Sequence, residues 1–286
     1  MIPSQTPAPK DPPRDIRIDT VHLSLVGRPF TVRGEAAVVA EVRRLLEVFV
    51  VGPDRSAHGP VVAVRQVNGG YLVTADGHPD AGVREQDEAT GQVLAVLNAA
   101  ALSDAECLAV HAGVVARHGR VVAFPARSGQ GKSTLTAACL RAGLDYVSDE
   151  ALCLDWRDAG VLPYPRPLEL SGWSRSALGL TAGPRDELVT AARLGARSAR
   201  PPLVLDHLVL LARHPAGAAT EEVTLEPVSP QQGAAALLTR SFNHWRHPGR
   251  AFDLAHEVAS RTRVWRLRLG EPTRAAALLC TLLGPG

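Results

Sequence analysis

Apolar and polar positions alternate with a period of two from Ile16 to Val32, broken only around Gly27-Arg28, which predicts a hairpin of half-buried strands. The period then changes. Glu35 to Val50 carries its apolar residues at helical spacing, Val61 to Thr74 returns to two strands across Asn68-Gly69-Gly70, and Glu88 to Leu102 reads as helix again. This mixture predicts a small α+β unit over 16–104, and the stretch holds no catalytic motif. A cap over a site, a substrate reader, or a subunit contact that would build a homo-oligomer are all open to it. Residues 1–15 are polar and proline-rich and predict a disordered tail.

Beyond residue 105 the pattern is that of α/β structure. Cys107 to Ala116 alternates like a strand, Arg117-His118-Gly119-Arg120 supplies a turn, and Arg120 to Phe124 is an apolar run suited to a buried strand. Thr134 to Arg141 has helical character and stops at Gly143. Between strand and helix stands Ala126-Arg127-Ser128-Gly129-Gln130-Gly131-Lys132-Ser133-Thr134, a loop of the G-x-x-x-x-G-K-[ST] type with Ala126 in place of the first glycine. The order strand, glycine loop, helix is the one a triphosphate requires. Gly129 and Gly131 let the loop curl its N–H groups inward, and the helix N-terminus adds partial positive charge. Ser128, Gly129, Gln130, Gly131, Lys132, Ser133 and Thr134 are therefore the expected nucleotide contacts. Lys132 is assigned to the β- and γ-phosphates and the Ser133 hydroxyl to Mg2+. The chain has two lysines, Lys10 and Lys132, and otherwise carries its positive charge on arginine, so an ammonium survives where a compact cation suits the chemistry.

Chain geometry brings in a second set of groups. A helix over 133–142 travels about 15 Å from the loop at roughly 1.5 Å per residue, and a strand over 144–148 returns about 16 Å at roughly 3.3 Å per residue. The return ends at Asp149-Glu150, on a strand expected beside the loop, at the carboxyl end where open α/β sheets bind ligands. One acid would hold Mg2+ and the other would take the proton of an attacking hydroxyl. His111 lies in the strand that hairpins into the loop strand and is expected within reach of Asp149, with a purely structural histidine as the alternative. Arg166 stands in a segment stiffened by Pro163, Pro165 and Pro167, which presents its guanidinium to an anionic substrate group; a solvated loop arginine is the competing reading. The Arg-rich stretch 175–200 suits a mobile cover or an irregular surface helix pair, and 243–247 reads as a loop.

Val110-His111-Ala112-Gly113, Val121 to Phe124, Ser128 to Leu135 and Tyr146-Val147-Ser148-Asp149-Glu150 together resemble the catalytic domain of HPr kinase/phosphorylase and its related kinases, whose fold is similar to that of ATP-dependent phosphoenolpyruvate carboxykinases. The resemblance covers residues 105–286 and is densest before 170; an acid pair so soon after the loop helix is a trait of that family. It implies an α/β P-loop catalytic domain over 105–286, preceded by the small α+β unit. It also implies catalytic roles for Asp149, Glu150, His111 and Lys132, a metal site of Ser133, Asp149 and Glu150, and ATP and Mg2+ as cofactors. The implied reaction moves the γ-phosphate to a hydroxyl, a serine of a peptide, a protein or a small molecule. Two departures change this picture. Glu150 stands where the family has a second aspartate, which unsettles phosphorolysis more than phosphoryl transfer, and the glycine-rich segment that docks HPr is absent, which turns the acceptor away from HPr.

Composition excludes more than it selects. With 45% hydrophobic and 21% charged residues and a net charge of +2, the 286-residue chain is globular, and it lacks a basic stripe interleaved with aromatics, so nucleic acid is not an expected partner. No apolar run is long enough for a membrane span. Cys107, Cys139, Cys153 and Cys280 have neither C-x-x-C spacing nor histidine company, which argues against zinc and fits a reducing, cytoplasmic setting. A nucleotide-dependent regulatory or binding module with little turnover is the alternative to a kinase, though such a module needs no spare base beside its metal. A carboxykinase would need a transition-metal site built on a further lysine, and Lys10 is the only other one. Nothing in the residues separates ATP from GTP.

Overall fold

A computed structural model describes residues 17–55, 59–181, 183–212 and 222–284. The expected tail over 1–15, with Lys10, lies outside them. The described residues form a mixed α/β structure of seven α-helices and three sheets.

The N-terminal elements are β1 (Ile18–Leu25), β2 (Arg28–Glu35), α1 (Ala36–Leu45), β3 (Val61–Val67), β4 (Gly70–Ala75), β5 (Ala81–Val83) and α2 (Gln86–Ser103). The strands make one sheet in the order β1-β2-β3-β4-β5, antiparallel except for the parallel β2–β3 pair. The hairpins turn on Val26-Gly27 and Asn68-Gly69, where both residues have positive φ, the geometry that matches the right-handed twist of the strands. The Glu35 carboxylate caps α1 by accepting the N–H groups of Ala37 and Val38 at 2.9 and 3.1 Å. This helix ends at Leu45, before the expected Val50, and Glu47–Phe49 continues as a 3-10 turn that buries Phe49.

The remaining elements are β6 (Cys107–Arg117), β7 (Arg120–Pro125), α3 (Lys132–Arg141), β8 (Asp145–Ser148), β9 (Ala151–Asp155), β10 (Val161–Leu162), β11 (Leu168–Leu170), α4 (Gly172–Ala177), β12 (Glu187–Val189), β13 (Val204–Ala212), β14 (Thr224–Pro227), α5 (Pro230–Thr239), α6 (Pro248–Arg261), β15 (Arg263–Arg268) and α7 (Pro272–Leu282). The large sheet runs β10-β9-β6-β7-β13-β15-β14, with β8 also on β6. Its centre, β7-β13-β15, is parallel. Both faces are covered, which is why these strands read as continuous apolar runs. Val122 and Phe124 of β7 pack with α3 and α7, while Val121 and Ala123 pack with α5 and α6. The core of the N-terminal unit extends across Cys107 and Ala109 of β6, Ala151 and Cys153 of β9, and Tyr164.

Three expectations need correction. The strand leading to Asp149 does not lie next to the loop strand: β8 pairs with β6, which separates it from β7. The 175–200 stretch is not a surface helix pair, since Arg175 is buried and holds Glu187 together with the carbonyls of Thr181, Gly183 and Arg185. The 243–247 segment is not loop throughout: His244–Arg246 forms a 3-10 turn, and α6 follows directly with Pro248 at its first helical position.

Candidate functional site

Strand β6 organises the site because it has a partner on each side. At one edge Ala112 pairs with Pro125, the last residue of β7 before the glycine loop. At the other edge β8 and β9 run along β6 as one strand interrupted at Asp149-Glu150, and the Ala112 N–H donates to the Glu150 carbonyl at 3.1 Å. Loop and acid pair thus end at the same level of the sheet, across one intervening strand.

The interruption is written locally in Tyr-Val-Ser-Asp-Glu. Ser148 Oγ accepts the N–H groups of Glu150 and Ala151 at 3.1 and 3.0 Å, and the Tyr146 hydroxyl accepts the Asp149 N–H at 3.1 Å. Side chains therefore satisfy the amides that the bend removes from the ladder. The Tyr146 hydroxyl also donates, its proton shared between Asp149 Oδ1 at 3.0 Å and the Arg166 carbonyl at 2.6 Å. Burial pushes the Tyr146 pKa well up, which keeps that proton in place.

The glycine loop is open for an anion. Gly129 and Gly131 have φ of 74° and 92°, and Gly131 caps α3 from the left-handed region. Ala126, in the first-glycine position, is buried and needs no positive φ, so the substitution costs the loop nothing. Among the described residues the N–H groups of Gly131 and Lys132 have no acceptor. Gln130 spends its side-chain oxygen inside the loop, accepting the Arg127 N–H at 2.5 Å. The Thr134 hydroxyl is bonded to Ser174 at 2.8 Å and anchors α4 rather than standing free for a ligand.

Lys132, Ser133, Asp149, Glu150, His111 and Arg166 all line one cavity of about 590 Å3 together with the loop. Lys132 is buried and makes no ion pair within 4 Å among the described residues. Desolvation lowers its pKa, and the more distant charges of Glu150 and Asp149 only partly oppose that. A buried ammonium in this state is stabilised by any anion that enters. Asp149 is buried too; desolvation is the main cause that raises its pKa from 3.8 to about 6, against the pull of Arg166 and of hydrogen bonds from the Tyr146 and Ser133 hydroxyls. Ser133 on the loop and Asp149 on the acid strand line the same cavity. Glu150 faces His111 Nε2 at 3.8 Å and an Arg166 Nη at 3.4 Å. The carboxylate nearest His111 is therefore that of Glu150 and not of Asp149, at a distance too long for a hydrogen bond, and burial, then Lys132, lowers the His111 pKa so that the ring is neutral near pH 7. Arg166 is not a solvated loop arginine: it is largely buried, and the two carboxylates overcome desolvation to raise its pKa.

No group of three or more His, Cys, Asp or Glu side chains among the described residues forms a metal cluster. Ser133 with Asp149 instead offers a hard cation two oxygen ligands and leaves the rest to phosphate and water, the partial coordination that suits Mg2+.

Sequence reasoning missed Glu169, Ser171, Trp173, Ser174, Asp186, Leu269, Gly270 and Pro272, which complete the cavity wall. Most of these lie on segments brought back by tertiary packing, where no local signal marks them. Ser171 and Ser174 are exceptions, as a Ser-x-x-Ser start to α4 is a capping signal, with Ser171 Oγ accepting the Ser174 N–H at 3.1 Å. Trp173, 68% exposed at the mouth, had only its residue type to recommend it. Compared with known proteins, the chain matches no family model and no curated protein. No helix among the described residues is long and apolar enough to cross a membrane.

Proposed function

We propose that this chain is a nucleotide-dependent phosphotransferase with an HPr-kinase-like P-loop domain over 105–286, moving the γ-phosphate of ATP to a hydroxyl. The observation that carries this reading is that Ser133, Asp149 and a buried Lys132 without an ion pair among the described residues line one cavity: a loop hydroxyl, a strand carboxylate and an ammonium converge there. Gly131 and Lys132 N–H groups and the α3 N-terminus take the phosphate tail, and Lys132 neutralises charge that spreads onto the transferring group. When bound, Mg2+ would offset the negative charge of the phosphates. Ser133 and Asp149 are the side chains that would hold it.

The two acids divide their work by position. Asp149 faces the loop cavity alone, whereas Glu150 lines both that cavity and a second one beside it. A hydroxyl arriving from the second cavity meets Glu150 first, so Glu150 accepts its proton. Cationic Arg166 holds the Glu150 carboxylate at 3.4 Å, and neutral His111 stands beside it at 3.8 Å. Trp173, with Leu269 and Pro272, gives the mouth an apolar and aromatic surface for a nucleobase.

The test is incubation with γ-labelled ATP, Mg2+ and a panel of serine-bearing acceptors, followed by mass analysis of the products. Transfer is expected, and Glu150→Gln should lower it by about two orders of magnitude or more without an equal loss of nucleotide affinity. A Glu150→Gln rate near normal would remove the assigned base.

A further inference from the structure

A second cavity of about 780 Å3 lies between the first turns of α2, the face of α1 that carries Glu41 and Arg44, and the segment from β11 to β12. It shares Glu150, Arg166, Glu169 and Asp186 with the loop cavity, so one continuous space joins the phosphate loop to the N-terminal unit. Its wall carries eight carboxylates against four guanidiniums in a chain whose overall charge is +2. Two of the carboxylates, Glu169 and Asp186, stand at the junction with the loop cavity, and neither has an ion pair among the described residues.

The shape gives a second, independent indication. Asp186, Glu187 and Leu188 are consecutive and all line the cavity. Side chains of a strand alternate between faces, so three neighbours reach one space when that space follows the strand edge. Strand β12 pairs with β11 on one side and has no strand on the other among the described residues. A free edge of this kind pairs with an extended backbone. A cation is already seated in the same trough: exposed Arg185 reaches across to Glu85 of the N-terminal unit, with N–O distances of 2.6 and 3.3 Å. An exposed pair of this sort contributes little and exchanges readily for another guanidinium.

We propose that this cleft is the acceptor site and that the acceptor is a basic peptide segment, extended along β12, whose Arg or Lys residues flank the hydroxyl delivered to Glu150. The proposal rests on the phosphotransferase reading for the role of Glu150, but the binding itself does not. Asp87 at the far end and Glu169 and Asp186 at the junction receive the flanking cations, and the N-terminal unit thereby becomes half of the substrate site.

The experiment measures binding and transfer separately on the full chain. Three fluorescein-labelled peptides of Ala and Gly around one Ser, flanked by Arg, by Glu or by Gln, are titrated by anisotropy in the absence of nucleotide. The Arg peptide is expected to bind about tenfold or more tighter than the other two, to weaken with salt, and to lose about tenfold in Asp87→Lys combined with Asp186→Lys. Equal binding of the three peptides, a preference for the Glu peptide, or no change in the double variant overturns the assignment. So does a free polyamine that competes as well as the Arg peptide, because the strand edge would then contribute nothing. The same peptides are then incubated with γ-labelled ATP. Selective binding of the Arg peptide without transfer supports the cleft and removes the kinase reading, while transfer to all three peptides at equal rates keeps the kinase reading and removes the cleft.

Discussion

Replacing Asp149 by asparagine should make the nucleotide-free protein more stable while impairing its chemistry. Asp149 is buried, and desolvation outweighs the favourable effects of Arg166 and the Tyr146 and Ser133 hydroxyls, so its pKa rises from 3.8 to about 6. A folded-state pKa above the unfolded value means that the native state binds the proton more tightly. The group then imposes no penalty below about pH 4, and stability is lost as pH rises from there through about 6. The full penalty at neutral pH is about 3 kcal/mol. Asparagine keeps an oxygen for the Tyr146 hydroxyl and cannot ionise, so Asp149→Asn removes the penalty. For a chain of this size that corresponds to a rise on the order of 5–10 °C in midpoint at pH 7.5, with almost no difference at pH 4. Thermal and urea denaturation at both pH values, without nucleotide or Mg2+, measure the difference. A variant less stable than the parent at pH 7.5, or equally shifted at both pH values, would refute the reasoning. On the proposed function the gain carries a cost: with the carboxylate gone, affinity for Mg2+-nucleotide and the transfer rate should both fall.

Two further outcomes are expected from the same geometry. Trp173 is exposed at the mouth of the loop cavity, so nucleotide should quench part of the tryptophan emission and Trp173→Leu should abolish that change; quenching that persists in the variant would place the base elsewhere. Gly113→Ala would set a Cβ 2.0 Å from Phe124 Cε2 and 2.7 Å from Thr136 Oγ1, where β6 passes under α3, and overpacking there should cost about 1–3 kcal/mol in urea denaturation. An unchanged midpoint would mean that Phe124 can move aside without loss.

Much of the site was legible because its parts are contiguous in sequence. The loop 126–134 needs only its own glycines and a helix to follow, and the bend at Asp149-Glu150 is held by Tyr146 and Ser148, its near neighbours. Strand and helix periodicity located β1 through β4, α2, β6, β7, α3 and β8 to within a few residues. What failed depended on the order of strands. Rise per residue brought the chain back to the level of the glycine loop, yet it carried no information on which strand lies between, and β6 was the intervening one. The same gap explains His111: its placement on the strand that hairpins into β7 was readable, but not that its ring would face Glu150. Strand β9 was absent from the reading because Ala-Leu-Cys-Leu is short, and Trp173, Glu169 and Asp186 were absent because nothing near them in sequence refers to the loop. The second cavity could not be foreseen at all, since its walls come from α1, α2 and the β11–β12 segment, which meet only in the folded chain.

Calorimetric titration of ATP and of AMP, each with Mg2+, into the parent protein and into Lys132→Ala tests the central claim most directly. If the loop and the buried ammonium grip a triphosphate tail, ATP binds at least about a hundredfold more tightly than AMP, and Lys132→Ala removes roughly thirtyfold or more of the ATP affinity while leaving AMP almost unaffected. Equal binding of the two nucleotides, or ATP affinity unchanged by Lys132→Ala, would contradict it.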